Sequence, residues 1–261
     1  MQDLFRGKTV LITGGSSGIG LDLARIFSKD EAVVILTASN PKKLSLAADE
    51  LEKNFGRRPY TLTKDLTSSS ATKEIFEELA SKKLNVDILV NNAGFGVYGK
   101  IHSTAVENLE KMTDVNARAV VSLTGLFLPG MIQRSFGRIL NVASVAGFQP
   151  IPLEATYAAT KAFVLTFSEG LSNELKNTGV GVTCLCPGPT DTPFFTRGEI
   201  FPSKMMRRSM MKSDVVARIG YEALKKNKTL VIPGFRNKIL TLGYRLMPRT
   251  WLTQIARKMV E

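Results

Sequence analysis

The sequence predicts an α/β protein in which helices cover both faces of a parallel sheet of about seven strands. Short β-branched runs alternate with longer helical patterns along nearly all of the 261 residues. Runs such as Ile88-Leu89-Val90 are apolar at every position, which is typical of strands buried on both faces of a parallel sheet. Since the length suits one large domain, we expect a doubly wound parallel sheet of the Rossmann type.

The predicted elements follow one another without a repeat, a low-complexity tract or a Pro/Ser-rich linker. Strands are predicted at residues 9–13, 32–37, 59–64, 87–91, 137–143, 180–186 and 229–233. Helices are predicted at about 18–29, 41–55, 68–83, 104–134, 155–177 and 213–227. Residues 1–233 are therefore interpreted as a single domain, and residues 234–261 as a C-terminal extension.

Charge is spread unevenly along the chain. The net charge is +12, of which residues 1–196 carry +1 and residues 197–261 carry +11. A nucleic-acid-binding protein usually carries its basic residues on a recognisable module; the sequence shows none, so no nucleic-acid partner is expected.

Apolar residues make up 44% and charged residues 22%, as in soluble globular proteins. With no signal-peptide pattern and no apolar run near the roughly 18 residues of a membrane span, we expect a cytoplasmic protein.

The two cysteines and the single histidine do not suggest a metal site. Cys184 and Cys186 are two apart in a predicted strand and point to the same face. Neighbouring residues on one face of a strand form a poor disulfide, and His102 alone completes no ligand set. We predict two free, buried cysteines and no bound metal.

A glycine-rich turn joins the first predicted strand to the first predicted helix. It reads Thr13-Gly14-Gly15-Ser16-Ser17-Gly18-Ile19-Gly20. Gly14 allows a tight turn, Gly18 lets the backbone approach a pyrophosphate, and Gly20 lets the helix pack closely on the strand. Free N–H groups at the start of the helix would then bind the phosphates. A plain glycine turn is the alternative, but the position between a strand and a helix favours a dinucleotide-binding loop.

The segment after the second strand bears on which dinucleotide is bound. NAD-binding proteins usually carry an acidic residue there, which binds the ribose 2′-hydroxyl. Residues 37–43 contain no carboxylate, and Ser39, Asn40 and Lys43 are placed to receive a 2′-phosphate. Alternatively, Lys42 and Lys43 only line an exposed helical turn. We interpret the segment as favouring NADP(H), with NAD(H) left open.

Tyr157 and Lys161 form a candidate reacting pair. They are four apart at the start of a predicted helix and so lie on one face of it. A free phenol has a pKa of about 10, and an ammonium group fixed beside it lowers that value, which makes Tyr a usable acid or base. Ser144 ends the preceding strand and is placed to hydrogen-bond a substrate carbonyl. An isolated Tyr-x-x-x-Lys is usually a chance surface pair, but the dinucleotide loop in the same chain favours catalysis.

Taken in order, these motifs resemble those of the short-chain dehydrogenase/reductase family, in its compact single-domain branch. The likeness extends to about residue 233. The family's Thr-Gly-x-x-x-Gly-x-Gly motif corresponds to residues 13–20, and its Asn-Asn-Ala-Gly motif to Asn91-Asn92-Ala93-Gly94. The family's adenine-contacting Asp corresponds to Asp65 in Asp65-Leu66-Thr67. No catalytic position departs from the family pattern.

The resemblance implies roles for individual residues. Ser144, Tyr157 and Lys161 match the catalytic residues, and Asn116 matches the Asn that helps to hold a proton-relay water. Lys161 is also implied to contact the hydroxyl groups of the nicotinamide ribose. With Ser39, Asn40 and Lys43 from the turn after the second strand, the predicted cofactor-binding residues are Thr13, Gly14, Ser16, Ser17, Gly18, Ile19, Gly20, Ser39, Asn40, Lys43, Asp65, Leu66, Asn92, Ala93, Gly94, Tyr157, Lys161, Pro187, Gly188, Thr190 and Thr192.

The substrate side is expected to be built from residues 94–100, residues 145–154 and the segment after Thr192. Residues 193–212, rich in Phe, Met and Arg, correspond to a segment that forms a mobile lid in the family. Apolar lid residues suit an apolar substrate, and Met adapts to varied shapes. The arginines of this segment, Arg197, Arg207 and Arg208, are candidates for binding an anionic group. A solvated basic helix with an apolar inner face is the alternative, and substrate identity stays open.

The C-terminal extension, residues 234–261, reads as two short amphipathic helices separated by Pro248. Their apolar stripes need a cover, since large exposed apolar patches promote aggregation. We expect the extension to pack on the body or on a second subunit. Contact with an anionic membrane surface is the alternative, because basic amphipathic helices bind such surfaces. Homo-oligomerisation as a dimer or tetramer is expected through the long helices at 104–134 and 155–177.

Taken together, the sequence predicts an oxidoreductase that moves a hydride between NADP(H) and a carbonyl/alcohol pair, chiefly as a ketone reductase. The competing hypothesis from another class is a catalytically idle dinucleotide-binding scaffold or sensor. The presence of Ser144, Tyr157 and Lys161 disfavours that hypothesis. Sugar-nucleotide epimerisation is also disfavoured, since the chain has no room for the larger substrate domain it needs.

Overall fold

The computed structural model describes residues 4–197 and 204–260, and a parallel sheet forms its centre. The strands are β1 (Thr9–Thr13), β2 (Val33–Ala38), β3 (Tyr60–Thr63), β4 (Ile88–Asn91), β5 (Gly137–Val142), β6 (Val180–Leu185), β7 (Thr190–Asp191), β8 (Met211–Lys212) and β9 (Leu230–Val231). The main sheet has seven strands in the order β3-β2-β1-β4-β5-β6-β9, all paired in parallel. The predicted doubly wound parallel sheet is confirmed.

Helices cover both faces of this sheet. They are α1 (Gly18–Lys29), α2 (Pro41–Phe55), α3 (Ala71–Ser81), α4 (Val106–Thr113), α5 (Ala119–Gln133), α6 (Ala155–Glu174), α7 (Phe194–Arg197), α8 (Lys204–Ser209), α9 (Ser213–Lys225), α10 (Phe235–Leu246) and α11 (Arg249–Val260). Buried side chains of α1, α2 and α9 form one apolar cluster, and those of α3, α5 and α6 form another on the opposite face.

The strands divide their side chains between the two clusters. Val10 and Ile12 of β1 belong to the cluster of α1, whereas Leu11 belongs to the cluster on the opposite face. Successive side chains of a strand point to opposite faces, so a strand covered on both sides must be apolar throughout. Ile88, Leu89 and Val90 are buried in the same alternating way, which explains the continuous apolar runs in the sequence.

The helix predicted at residues 104–134 is divided into three segments. α4 and α5 are joined by a π-helical segment, Asp114–Arg118. Such single π-turns are frequent at functional sites, and this one carries Asn116. The apolar periodicity continues across the π-turn, so the sequence pattern does not reveal it. At the sheet edge, β9 is shorter than predicted because only Leu230 and Val231 pair with β6.

The stretch Val106–Gln133 is long and apolar enough to cross a membrane by length and composition, with a mean hydropathy of 1.4. Half of its most apolar window is buried inside the fold. Within it, Leu123, Phe127 and Met131 pack in the cluster that α5 shares with α3 and α6. The packing of α5 on the sheet accounts for the hydropathy of this stretch.

The segment predicted as a lid is held at both of its ends. β7 and β8 pair in parallel, with Thr190 beside Met211, so the two ends of the segment lie side by side. α7 and α8 lie between these ends in the sequence. Residues 198–203 and the side chain of Arg197 are outside the described part of the chain. Arg207 and Arg208 are exposed.

The C-terminal extension forms the two helices α10 and α11, with Pro248 between them as predicted. Their inward residues Thr241, Leu252 and Ala256 are buried. Their outward apolar side chains stay exposed, including Phe235, Ile239, Leu242, Trp251 and Ile255. The extension therefore packs on the body with one side only.

Candidate active site

The predicted site residues meet around a cavity of about 950 Å³. It opens where the strands of the main sheet end at their carboxyl termini, which is where parallel α/β sheets bind ligands. The predicted site residues that line it are Gly14, Ser16, Ser17, Gly18, Ile19, Ser39, Asn40, Lys43, Asp65, Leu66, Asn92, Ala93, Gly94, Ser144, Tyr157, Lys161, Pro187, Gly188, Thr190 and Thr192. The other three, Thr13, Gly20 and Asn116, lie behind the cavity wall.

The glycine-rich loop requires its glycines for backbone conformation and for close contact. Gly14 and Gly18 have φ values of +64° and +54°, a region that favours glycine. A Cβ on Gly14 would lie 2.9 Å from the Cα of Ala93, and one on Gly20 would lie 2.5 Å from the carbonyl oxygen of Gly14. Gly20 thus serves the close packing predicted for it and does not face the cavity.

Thr13 holds the glycine-rich loop to the loop after β4. Its hydroxyl oxygen accepts hydrogen bonds from the backbone N–H groups of Asn92 and Ala93, both at 3.0 Å. The side-chain amide of Asn92 donates back to the carbonyl oxygen of Thr13 at 2.9 Å. Thr13 is buried, so in this structure it is a positioning residue for the two loops, which both line the cavity.

The turn after β2 presents polar groups at one end of the cavity. The Asn40 side-chain oxygen accepts from the backbone N–H of Lys43 at 2.9 Å and caps α2. Ser39, Asn40 and Lys43 are exposed and line the cavity. Lys64 also lines it, but its ammonium group pairs with Glu74 at 2.8 Å. This end of the cavity therefore carries hydroxyl, amide and ammonium groups suited to a phosphate.

The end of β5 and the first turns of α6 bring Ser144, Tyr157 and Lys161 together. The Ser144 hydroxyl accepts from the N–H of Ala146 at 3.1 Å, which fixes it at the end of the strand. The Lys161 ammonium donates to the carbonyl oxygen of Val142 at 2.9 Å. Its Nζ lies 5.8 Å from the centroid of the Tyr157 ring. The predicted reacting group is thus assembled on one wall of the cavity.

Burial decides the acid–base properties of this group. It raises the pKa of Tyr157 above the ordinary value for a phenol; a hydrogen bond with Ser144 lowers it and the charge of Glu154 raises it further. This direction is opposite to the lowering expected from the ammonium of Lys161. Burial also lowers the pKa of Lys161 from 10.5 to about 8. Both shifts have the same cause, because removal from water penalises the charged form of each group.

Asn116 lies in the π-turn, and its side-chain amide is hydrogen-bonded within the protein. Its amide nitrogen donates to the carbonyl oxygen of Phe95 at 2.9 Å and to the hydroxyl of Thr160 at 3.2 Å. Its amide oxygen accepts from the N–H of Phe95 at 3.1 Å. Asn116 therefore joins the loop after β4 to α6. The contact with α6 is at Thr160, the residue before Lys161.

The substrate side of the cavity contains residues that the sequence analysis missed. The expected segments contribute Phe95, Gln149, Ile151, Glu154, Phe194 and Phe195. The C-terminal extension contributes a further wall, made by Arg236, Asn237, Leu240, Tyr244 and Ala256. Residues 237, 240 and 244 share one helical face, and that spacing was the available signal. Arg207 and Arg208, candidates for binding an anion, are absent from the described lining.

A glycine-rich loop at the start of a helix, a polar end to the cavity and a Ser–Tyr–Lys group on its wall define an NAD(P)-dependent oxidoreductase. The sequence profile of the short chain dehydrogenase family matches residues 8–199. The chain belongs to this family, so the resemblance in its motifs is confirmed.

Known relatives agree with this assignment. The chain is 38% identical over 180 residues to the NADP-dependent 3-hydroxy acid dehydrogenase of Escherichia coli, covering 69% of this chain and 71% of that protein. A short-chain dehydrogenase from Sphingobium yanoikuyae, solved with NADPH, has a TM-score of 0.81 at 30% identity, covering 91% and 94% of the two chains. L-Sorbose reductase from Gluconobacter frateurii, solved with NADPH and L-sorbose, has a TM-score of 0.78 at 28% identity, covering 90% and 98%.

Proposed function

We propose that this chain is an NADPH-dependent ketone reductase. The observation that carries the proposal is the meeting of Ser144, Tyr157 and Lys161 on the wall of the cavity that the glycine-rich loop also lines. A bound nicotinamide supplies the hydride to the carbonyl carbon. The residues of the chain have to orient the carbonyl and deliver one proton to its oxygen.

Tyr157 is suited to donate that proton. Because burial raises the pKa of its phenol, Tyr157 holds its proton at neutral pH and releases it only to a strong base, such as the oxygen of a carbonyl that is gaining negative charge. The Ser144 hydroxyl hydrogen-bonds the same oxygen and orients the carbonyl. Lys161 stabilises the phenolate left after proton transfer through its positive charge. A protonated Tyr157 is the form that reduction of a ketone requires.

The preference for NADPH rests on the turn after β2. Ser39, Asn40 and Lys43 line the cavity there, and the turn itself carries no carboxylate to repel a 2′-phosphate. The E. coli relative is NADP-dependent and both solved neighbours were determined with NADPH. This proposal includes a cofactor-binding role for each predicted residue that lines the cavity. It also includes Thr13, Gly20 and Asn116, as residues that position the cavity wall.

We also propose that residues 1–233 form one catalytic domain that includes a lid at about residues 193–212, and that residues 234–261 are an extension of it. We further propose that the chain forms homo-oligomers. α5 and α6 support the oligomer, since Val121, Ile132 and Phe163 are exposed on them. The Phe163 ring also stacks on the Phe167 ring, with 6.2 Å between the ring centroids. Large apolar side chains exposed on a helix are candidates for a protein interface.

The test is NADPH oxidation with a panel of ketones, for the wild-type protein and for Tyr157→Phe. The variant removes the transferable proton alone, so kcat should fall at least 100-fold while the Kd for NADPH stays within about threefold. Tyr60→Phe is the matched control, because the Tyr60 hydroxyl bonds to Glu78 outside the cavity. Activity above a few per cent in Tyr157→Phe would remove Tyr157 as the acid. NADPH binding without turnover of any ketone would favour the scaffold hypothesis.

A further inference from the structure

The substrate side of the cavity contains one carboxylate whose role the reaction does not explain. Among the described lining residues, the acidic ones are Asp65 and Glu154. Asp65 lies on the cofactor side, and its side chain accepts from the N–H of Thr67 at 3.0 Å. Glu154 lies on the substrate side, directly before α6.

The backbone of Glu154 is fixed, but its side chain is unpaired. The N–H of Glu154 donates to Ile151 at 3.2 Å, and its carbonyl oxygen accepts from Ala158 at 2.8 Å. Within residues 4–197 and 204–260 the Glu154 carboxylate has no hydrogen-bond or ion-pair partner. The side chain is half-buried at the cavity wall, and partial burial raises the pKa of its carboxyl. A substrate that displaces water from this part of the cavity would therefore have to complete the hydrogen bonds of the carboxylate.

Glu154 is also close to the reacting centre. It precedes Tyr157 by three positions, and its charge contributes to the raised pKa of Tyr157. Glu154 is the N-cap residue of α6, Tyr157 lies in the first turn of that helix, and both line the cavity. A ketone whose oxygen meets Tyr157 therefore brings atoms a few bonds from its carbonyl to the carboxylate of Glu154.

The described walls around Glu154 are mostly apolar, and the other polar side chains on this side are Gln149, Ser209, Arg236, Asn237 and Tyr244. Ile151, Phe194 and Leu240 line this part of the cavity with apolar surface. Tyr244 of α10 also lines this part of the cavity, and burial raises the pKa of its phenol while the nearby Gln149 lowers it. The cations on this side are Lys161, which donates to Val142, and Arg236, which is exposed.

We propose that Glu154 determines specificity for an uncharged ketone that carries a hydroxyl group a few bonds from its carbonyl. The hydroxyl donates a hydrogen bond to the Glu154 carboxylate, while the apolar walls cover the carbon skeleton. A substrate with a carboxylate at the same place is disfavoured, because like charges repel and both groups would be poorly hydrated. This inference rests on the proposed ketone reductase activity and names the substrate class for that same site.

The test compares three probes of one shape: 4-hydroxycyclohexanone, cyclohexanone and 4-oxocyclohexanecarboxylate. For the wild type, kcat/KM should be at least tenfold higher for the hydroxyketone than for cyclohexanone. Glu154→Leu should reduce this ratio at least tenfold. Glu154→Gln should keep most of the preference, since its amide oxygen accepts the same hydrogen bond, and should raise kcat/KM for the keto acid at least fivefold. Glu174→Gln, a change at an exposed carboxylate at the far end of α6, is the matched control.

Two results would overturn the inference. An unchanged ratio in Glu154→Leu would show that no hydroxyl is recognised there. An equal loss for all three probes would show that Glu154 acts only through Tyr157.

If the wild type reduces none of the probes, the ketone reductase proposal fails instead. Glu154 is then tested by binding alone, from the Kd of cyclohexane-1,4-diol and of cyclohexanol with NADP⁺ present. Loss of a tenfold preference for the diol in Glu154→Leu supports the subsite, and an unchanged preference removes it.

Discussion

Replacing Lys161 by Met should make the cofactor-free protein more stable and abolish its activity. Lys161 is 4% exposed, and the one hydrogen bond of its ammonium to a described residue is to the carbonyl oxygen of Val142. Its pKa falls from 10.5 to about 8 on burial. Each pKa unit corresponds to about 1.4 kcal/mol, so the charged side chain costs the native state roughly 3 kcal/mol at pH 7. Met has a similar length and carries no charge.

The expected gain is about 1–3 kcal/mol, because the lost hydrogen bond offsets part of it. For a chain of this size it raises Tm by about 2–4 °C per kcal/mol. The gain should be complete below pH 8. Between pH 8 and 10.5 the native chain has released the Lys161 proton while the unfolded chain still binds it, so wild-type stability rises relative to the variant and the difference shrinks.

Thermal unfolding of cofactor-free protein at pH 7, 8, 9 and 10, followed by circular dichroism, measures this difference. Lys176→Met is the matched control, since Lys176 is exposed beside the end of α6, and it should change Tm little at any pH. Turnover by Lys161→Met should fall at least 100-fold. A Tm at pH 7 equal to or below that of the wild type would refute the reasoning, and so would a Tm difference that stays constant with pH.

Three further changes test the cofactor, the extension and the oligomer. Ser39→Asp should reverse or flatten a preference for NADPH over NADH in binding titrations, by repelling the 2′-phosphate; a wild type that prefers NADH several-fold would contradict the interpretation of this turn. Deletion after Pro233 should lower Tm and raise KM for ketones, because α10 lines the cavity. An unchanged truncated enzyme, with salt-sensitive sedimentation of the full chain on anionic vesicles, would support the membrane alternative. Phe163→Lys should shift the protein to a smaller species in light scattering, whereas Lys176→Met should not.

The parts of the fold that follow from local spacing were predictable from the sequence. The alternation of Val10, Leu11 and Ile12 between two apolar faces requires a strand covered on both sides. Gly14 and Gly18 adopt backbone conformations that other residues rarely adopt. These are constraints within a few residues, so the sequence carries them directly.

The properties that depend on the whole environment were not predictable in the same way. The pairing of Tyr157 with Lys161 suggested a lowered phenol pKa, but partial burial of Tyr157 raises it. The sequence pattern also gave no sign of the π-turn that commits Asn116 to Phe95 and Thr160. Burial and hydrogen-bond saturation depend on residues far apart in the sequence, and spacing within one helix does not report them.

The C-terminal extension is the clearest case, because its amphipathic pattern was interpreted only through its apolar residues. Asn237 is a polar residue of that pattern, and its side-chain amide donates to the carbonyl oxygen of Pro233 at 2.7 Å. A Cβ on Gly188 would lie 2.5 Å from the same amide nitrogen. Gly188 therefore lets α10 approach the loop after β6, which also lines the cavity at Pro187. The extension is thus joined to the cofactor side as well as to the substrate side, so a change in its packing should alter the binding of both.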